Sequence, residues 1–197
     1  GDVYKRQGVT NSGLLTAGTI GIVVSAVSTF TGNISNAGTI SAKTGIFISG
    51  STITGSIVDS GNVYATVGIT VDSSSAITAT SGAAIAVTGP TFGGGISNAG
   101  TLSAPGYTGI LVSGVTSFGG GITNAGLIDP KTGISVVNVS TFSGGIINAA
   151  GNITATKIGI SVSSVSTFTG GISNSGTISA GGVGIGPVSY THLRAHE

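Results

Sequence analysis

The chain contains no cysteine, no methionine and no tryptophan, and only 6% of its 197 residues are charged. Without cysteine there is no disulfide staple and no thiolate metal site. Six Lys and Arg against five Asp and Glu leave a formal charge of +1, which supplies no basic stripe for nucleic acid or an anionic membrane surface. Mean hydropathy is +0.53. Even so, no stretch approaches the roughly 18 uninterrupted apolar residues of a membrane span, so no membrane insertion is expected. The hydrophobes are Val, Ile and Phe spaced by Ser, Thr and Gly, which suits strands and leaves no helix of useful length.

What the chain does have is repetition. A motif Ser-Thr-Phe-x-Gly-Gly-Ile-x-Asn-x-Gly-Thr-Ile, a short gap and then Gly-Ile-x-Val recurs about every 25 residues. Its Phe falls at Phe30, Phe92, Phe118, Phe142 and Phe168, and its Asn at Asn36, Asn98, Asn124, Asn148 and Asn174. A period of this length marks a unit that cannot bury its own apolar face and stacks on its neighbours. The Gly-Ile isoleucines are Ile22, Ile46, Ile69, Ile85, Ile110, Ile134, Ile160 and Ile185, with spacings of 24, 23, 16, 25, 24, 26 and 25. Read as one column, they make the unit between Ile69 and Ile85 a short one without its Phe strand. The preceding unit is degenerate, with Ile53 at the Phe position and Asp59 at the Asn position.

Three short extended segments are legible in each unit, around Thr-Phe-x-Gly-Gly-Ile, Gly-Thr-Ile-Ser-Ala and Gly-Ile-x-Val. Alternation places Phe118 inside with Ser117 outside, and Ile110 and Val112 on one face. The expected fold is all-β: a right-handed parallel β-helix of seven to eight rungs, about 4.8 Å apart. Its interior holds stacks of Phe, Ile and Val. The Asn residues are expected at corners, tolerating left-handed backbone angles and bonding from rung to rung, with Gly38, Gly100, Gly126 and Gly176 supplying positive φ.

Charge is concentrated at the ends. Asp2, Lys5, Arg6, Arg194 and Glu197 are five of the eleven charged residues, and His192 and His196 are the only histidines. The repeat register begins near Gly8 and is lost after Gly186. Residues 1–7 and 187–197 resemble translated sequencing-adapter DNA, and both are expected to be non-native, leaving 8–186 as the repeat domain.

The tandem Ser-Thr-Phe-x-Gly-Gly-Ile-Ser-Asn-Ser/Ala-Gly-Thr-Ile-Ser-Ala units of residues 8–186 resemble the passenger domains of bacterial autotransporters, the type V secreted proteins. The resemblance implies a Gram-negative protein displayed at the cell surface or secreted, whose outer-membrane β-barrel lies C-terminal to this segment. It implies a structural or adhesive stalk whose partners are a host or neighbouring-cell surface, or other copies of itself. It carries no catalytic residue to transfer. No secretory signal opens the chain, so an exported protein of this kind is expected to be represented here by a fragment of a longer passenger.

Chemical sites are few. A β-helical polysaccharide-cleaving enzyme needs carboxylates close together, or a basic residue with calcium. Between residues 8 and 186 the only acids are Asp59, Asp72 and Asp129. Asp59 and Asp129 are expected more than about 10 Å apart along the stack. No histidine lies within the repeats to serve a Ser-His-Asp arrangement. Gly93-Gly94-Gly95 and Gly119-Gly120-Gly121 lack the helix and Lys-Ser/Thr of a phosphate loop and read as corners. Lys43, Lys131 and Lys157 each stand three residues before a Gly-Ile isoleucine, as does Tyr107, and are expected in one exposed loop column. Thr29, Thr91, Ser117, Thr141 and Thr167 would form an outward hydroxyl ladder. A second column two residues on reads Thr31, Gly93, Gly119, Ser143 and Thr169, and its two glycines interrupt an ice-binding array. The expectation is a non-enzymatic chain with no catalytic, cofactor-binding or metal site. The alternatives are an enzyme whose active site lies elsewhere in a longer protein, or an ice- or surface-binding array.

Overall fold

The computed structural model describes residues 8–186, and within them every regular element is a strand. Twenty-three strands of two to sixteen residues coil into a parallel β-solenoid of about seven turns, the interior strands pairing with neighbours one turn below and one above. Residues 1–7 and 187–197, with His192 and His196, lie outside the described residues.

A full coil has four extended segments rather than three, and two of the four run on as one long strand in places, as in Thr39–Ser49 and Thr101–Ser113. The Thr-Phe-x-Gly-Gly-Ile segment breaks at its glycines into a two-residue strand such as Ser117–Phe118 and a three-residue strand such as Ile122–Asn124. The coil therefore consists of two similar halves. One runs Thr-Ile, corner, Gly-Ile-x-Val; the other runs Thr-Phe, corner, Gly-Ile-x-Asn. Both present a β-branched or hydroxyl residue outward and a large apolar residue inward, then repeat that after a bend.

This likeness of the halves permits the main departure from the expected register. After Val71 the chain passes through Asp72–Ser75 directly into Ala76–Thr78, a Thr-Ile-type strand, so the Phe and Asn strands of that coil are missing. The coil is half complete, so the halves that follow it stack on the opposite kind of half beneath them, and the coils above then stack like on like. Ile69 pairs with Ile96, and Ile85 pairs with Ile57, so the expected Ile69-to-Ile85 step does not exist.

Four continuous interior stacks result. The first is Leu15, Ile40, Val63, Phe92, Phe118, Phe142 and Phe168. The second runs through Ile22, Ile46, Ile69, Ile96, Ile122, Ile146 and Ile172. Phe30 opens the third, followed by Ile53, Ile77, Leu102, Ile128, Ile153 and Ile178, so it does not join the other phenylalanines. The fourth is Val9, Ile34, Ile57, Ile85, Ile110, Ile134, Ile160 and Ile185. Most of these side chains are fully buried. Phe92, Phe118 and Phe142 stack face to face at centroid distances of 5.1 and 4.7 Å. Such offset pairs add about 0.5–1.5 kcal/mol each to the burial of the rings.

The corners also differ from expectation. Gly38, Gly100, Gly126 and Gly176 are not among the residues with positive φ. Their missing side chains are needed for another reason: a Cβ on Gly126 would land on the carbonyl oxygen of Gly100, and one on Gly176 on that of Gly151. A left-handed residue instead recurs four positions after five of the Gly-Ile isoleucines: Ala26, Gly50, Gly114, Asn138 and Ser164, with φ between 53° and 69°. Placing glycine at Ser164 relieves a strained backbone angle, and Ser164→Gly is expected to raise stability by about 0.5–1 kcal/mol in urea unfolding.

Candidate functional site

Beside Asp59, Ser51, Ser56 and Ser75, the largest set of polar groups inside the solenoid is the asparagines. They occupy strand ends with their side chains turned inward, in ordinary extended backbone, so only the second reason expected for them holds: bonding from coil to coil. The half-coil slip divides them into two ladders on opposite halves. In one, the Nδ2 of Asn11 donates to the Oδ1 of Asn36 at 2.7 Å, and that of Asn36 donates to Asp59 Oδ1 at 2.6 Å. In the other, Asn98, Asn124, Asn148 and Asn174 are linked in the same sense by three bonds of 2.8 Å. Each amide of this second ladder also donates to a corner carbonyl, as Asn124 does to Gly126 at 3.2 Å. The ladder begins above Val71, and the first ladder ends beneath Val87.

Asp59 therefore closes a ladder. Its carboxyl is fully buried, one oxygen accepts from Asn36, and Oδ2 has no partner. Burial raises its pKa above the ordinary carboxylate value, against the lowering influence of the Asn36 amide and a backbone hydrogen bond with Gly61. A carboxyl whose folded pKa is raised binds its proton more tightly in the folded state. Its contribution to stability is full below the ordinary value near 3.8 and falls as pH rises through the raised value. Asp59→Asn removes the charge and supplies an Nδ2 in place of the orphan oxygen, positioned as Asn36 Nδ2 is toward Gly38 O. The variant is expected to be more stable at pH 7 by about 1–3 kcal/mol, with the gain shrinking toward pH 4. Urea midpoints at the two pH values check this.

Asp72 sits at the corner where the half coil is lost. It accepts hydrogen bonds from the hydroxyls of Ser75, Ser49 and Ser74 at 2.6, 2.7 and 2.9 Å, and from the N–H groups of Ser74 and Gly50. The Ser75 and Ser49 bonds come first in holding its pKa well below the usual carboxylate range. This carboxylate organises the turn that replaces the missing strands. Asp129 is exposed on strand Leu127–Phe142, stacked on Ser103. Among the described residues, no group of three or more His, Cys, Asp or Glu comes together to hold a metal.

The lysines do not form one column. Lys43 lies between the first and second stacks, whereas Lys131 and Lys157 lie between the third and fourth, half a coil away. Tyr107 shares the second location. There the segments at 79–84 and 104–108 are longer than those at 129–132 and 155–158, with a register shift between Ala104 and Thr108, and an open groove of about 440 Å³ lies along them. Gly82, Gly106, Tyr107, Leu111, Lys131 and Lys157 are among its lining. The hydroxyl ladder is likewise shortened: Thr91, Ser117, Thr141 and Thr167 stack in register, while Thr29 precedes Phe30 on another stack. Gly93 and Gly119 interrupt the column beside it.

No family model, no curated protein and no solved structure matches the chain.

Proposed function

We propose that this chain is a structural and adhesive stalk of the autotransporter-passenger kind, non-catalytic, holding loops or a distal domain away from a Gram-negative cell surface. The observation that carries the reading is the uniformity of the stack. Residues 8–186 repeat one apolar half-coil throughout, and most of their buried polar side chains are spent on ladders along the axis instead of converging on a reacting atom. A rod of this kind gains length by adding coils, each contacting only its neighbours. It folds without disulfides, since cysteine is absent.

The experiment is to sequence the source locus through both ends of the segment. Repeats that continue in frame and finish in alternating amphipathic barrel strands support the passenger reading. A frame carrying no barrel and no export signal overturns it.

A further inference from the structure

We propose that the groove over Lys131 and Lys157 binds an acidic polysaccharide segment, with the two ammonium groups on its carboxylates and Tyr107 against a sugar ring. This proposal stands whether or not the chain is part of an exported passenger.

Three observations support it. First, Lys157 N–H donates to the Lys131 carbonyl at 2.9 Å, so the two residues sit directly one above the other on adjacent coils. Neighbouring coils are about 4.8 Å apart. Like charges stacked in this way repel one another. No acid among the described residues forms an ion pair with either, and Asp129, two residues before Lys131, does not line the groove. An anionic ligand provides the missing counter-charge.

Second, two of the three lysines in residues 8–186 occupy this one groove, in a chain with almost no other charge. The exposed Asp129, two residues before Lys131, offsets part of this charge, and the groove keeps a net positive field. Third, the groove has the size of a ligand site and an aromatic side chain on its rim. Its volume of about 440 Å³ falls within the range of roughly 300–1,000 Å³ usual for ligand pockets. At the register shift between Ala104 and Thr108, Tyr107 is 44% exposed, so its ring offers an apolar face with a polar tip. A Cβ at Gly82 or at Gly106 would meet nothing within 4 Å, so the groove is open beside both.

An extended polyanion suits this geometry better than a compact ion. The charges repeat along the solenoid axis, and the aromatic side chain stands on the coil below Lys131. A carboxylated sugar chain lying along the axis meets Tyr107, Lys131 and Lys157 in turn.

The test is calorimetric titration of the full chain with hexagalacturonate, with neutral maltohexaose and inorganic phosphate as comparison probes. The expected result is binding of the hexagalacturonate that weakens as salt is added, and none of maltohexaose. Lys131→Gln and Lys157→Gln are each expected to weaken it about tenfold. Tyr107→Ala is expected to weaken it and Tyr107→Phe to retain it. Lys43→Gln, the same charge change on the other half of the solenoid and more than three turns below Lys131, is expected to leave it unaltered. These side chains are exposed, so the variants keep the fold, which circular dichroism confirms. Absence of binding at millimolar hexagalacturonate overturns the proposal. So does equal loss from Lys43→Gln, which would mean unspecific charge attraction. Phosphate binding that is as tight as that of hexagalacturonate, and indifferent to Tyr107→Ala, would make the groove a simple anion site and overturn the polysaccharide assignment.

Discussion

Phe118→Asp is expected to unfold the solenoid around its fifth coil, while Ser117→Asp, one residue away, leaves the urea midpoint nearly unchanged. Phe118 is fully buried between Phe92 and Phe142, with ring centroids 5.1 and 4.7 Å away. Deleting a buried phenylalanine costs about 3–5 kcal/mol, and an unpaired carboxylate in the space adds several more unless it takes up a proton. The total is comparable with the 5–15 kcal/mol of an ordinary domain. Ser117 points outward between Thr91 and Thr141 on the surface of the same strand. Changes there fall within about 0.5 kcal/mol. Reversal of the two midpoints would contradict the inward assignment of the phenylalanine stack.

The second large effect concerns the longer asparagine ladder. A single Asn124→Val substitution removes the acceptor of the Asn98 amide and the donor to Asn148 Oδ1 and Gly126 O, all in the interior. Each buried group left without a partner costs about 1–3 kcal/mol, so a loss of about 2–4 kcal/mol is expected. Yet valine is what the chain itself uses on the opposite half, where Val87, Val112, Val136 and Val162 stack in the equivalent place. The corner carbonyls do not depend on the ladder alone, since Leu127 N–H also bonds Gly100 O at 2.9 Å. Replacing Asn98, Asn124, Asn148 and Asn174 together by valine orphans no side chain in that ladder. The fourfold variant is therefore expected to be more stable than the single one, a non-additivity characteristic of a connected polar network. Urea unfolding of the two variants decides it, and a fourfold variant that loses four times the single effect would show that the amides act independently.

Much of this was legible in the residues. The repeat gave the solenoid, alternation placed Phe118 and Ile110 inside, and an asparagine repeated at the coil period implied bonding from coil to coil. The slip at Asp72–Ser75 was not legible, for a physical reason. The sequence shows a 16-residue spacing between Ile69 and Ile85, but Thr-Ile and Thr-Phe strands present the same shape to a neighbour. Spacing alone does not show which half stacks on which. The same ambiguity placed Lys43 with Lys131 and Lys157, Phe30 with the later phenylalanines and Thr29 with the later hydroxyls. The left-handed corner was hidden because Ala26, Gly50, Gly114, Asn138 and Ser164 share a backbone angle and no residue type. The glycines of the Asn-x-Gly corner are conspicuous, but they answer to the close approach of a neighbouring coil.

The half-coil exchange is the central claim, and the absence of cysteine makes it directly measurable. Thr70 and Ser97 are register partners with half-exposed side chains on adjacent coils. Parallel neighbours at about 4.8 Å are within the Cα range of roughly 4.4–6.8 Å that a disulfide spans. Under the unslipped register the partner of Thr70 would instead be Ala86. A Thr70→Cys/Ser97→Cys variant is expected to form an intramolecular disulfide on mild oxidation, and Thr70→Cys/Ala86→Cys to keep two free thiols. Crosslinking of the second pair in preference to the first would contradict the exchange of halves on which the ladders and the lysine groove both depend.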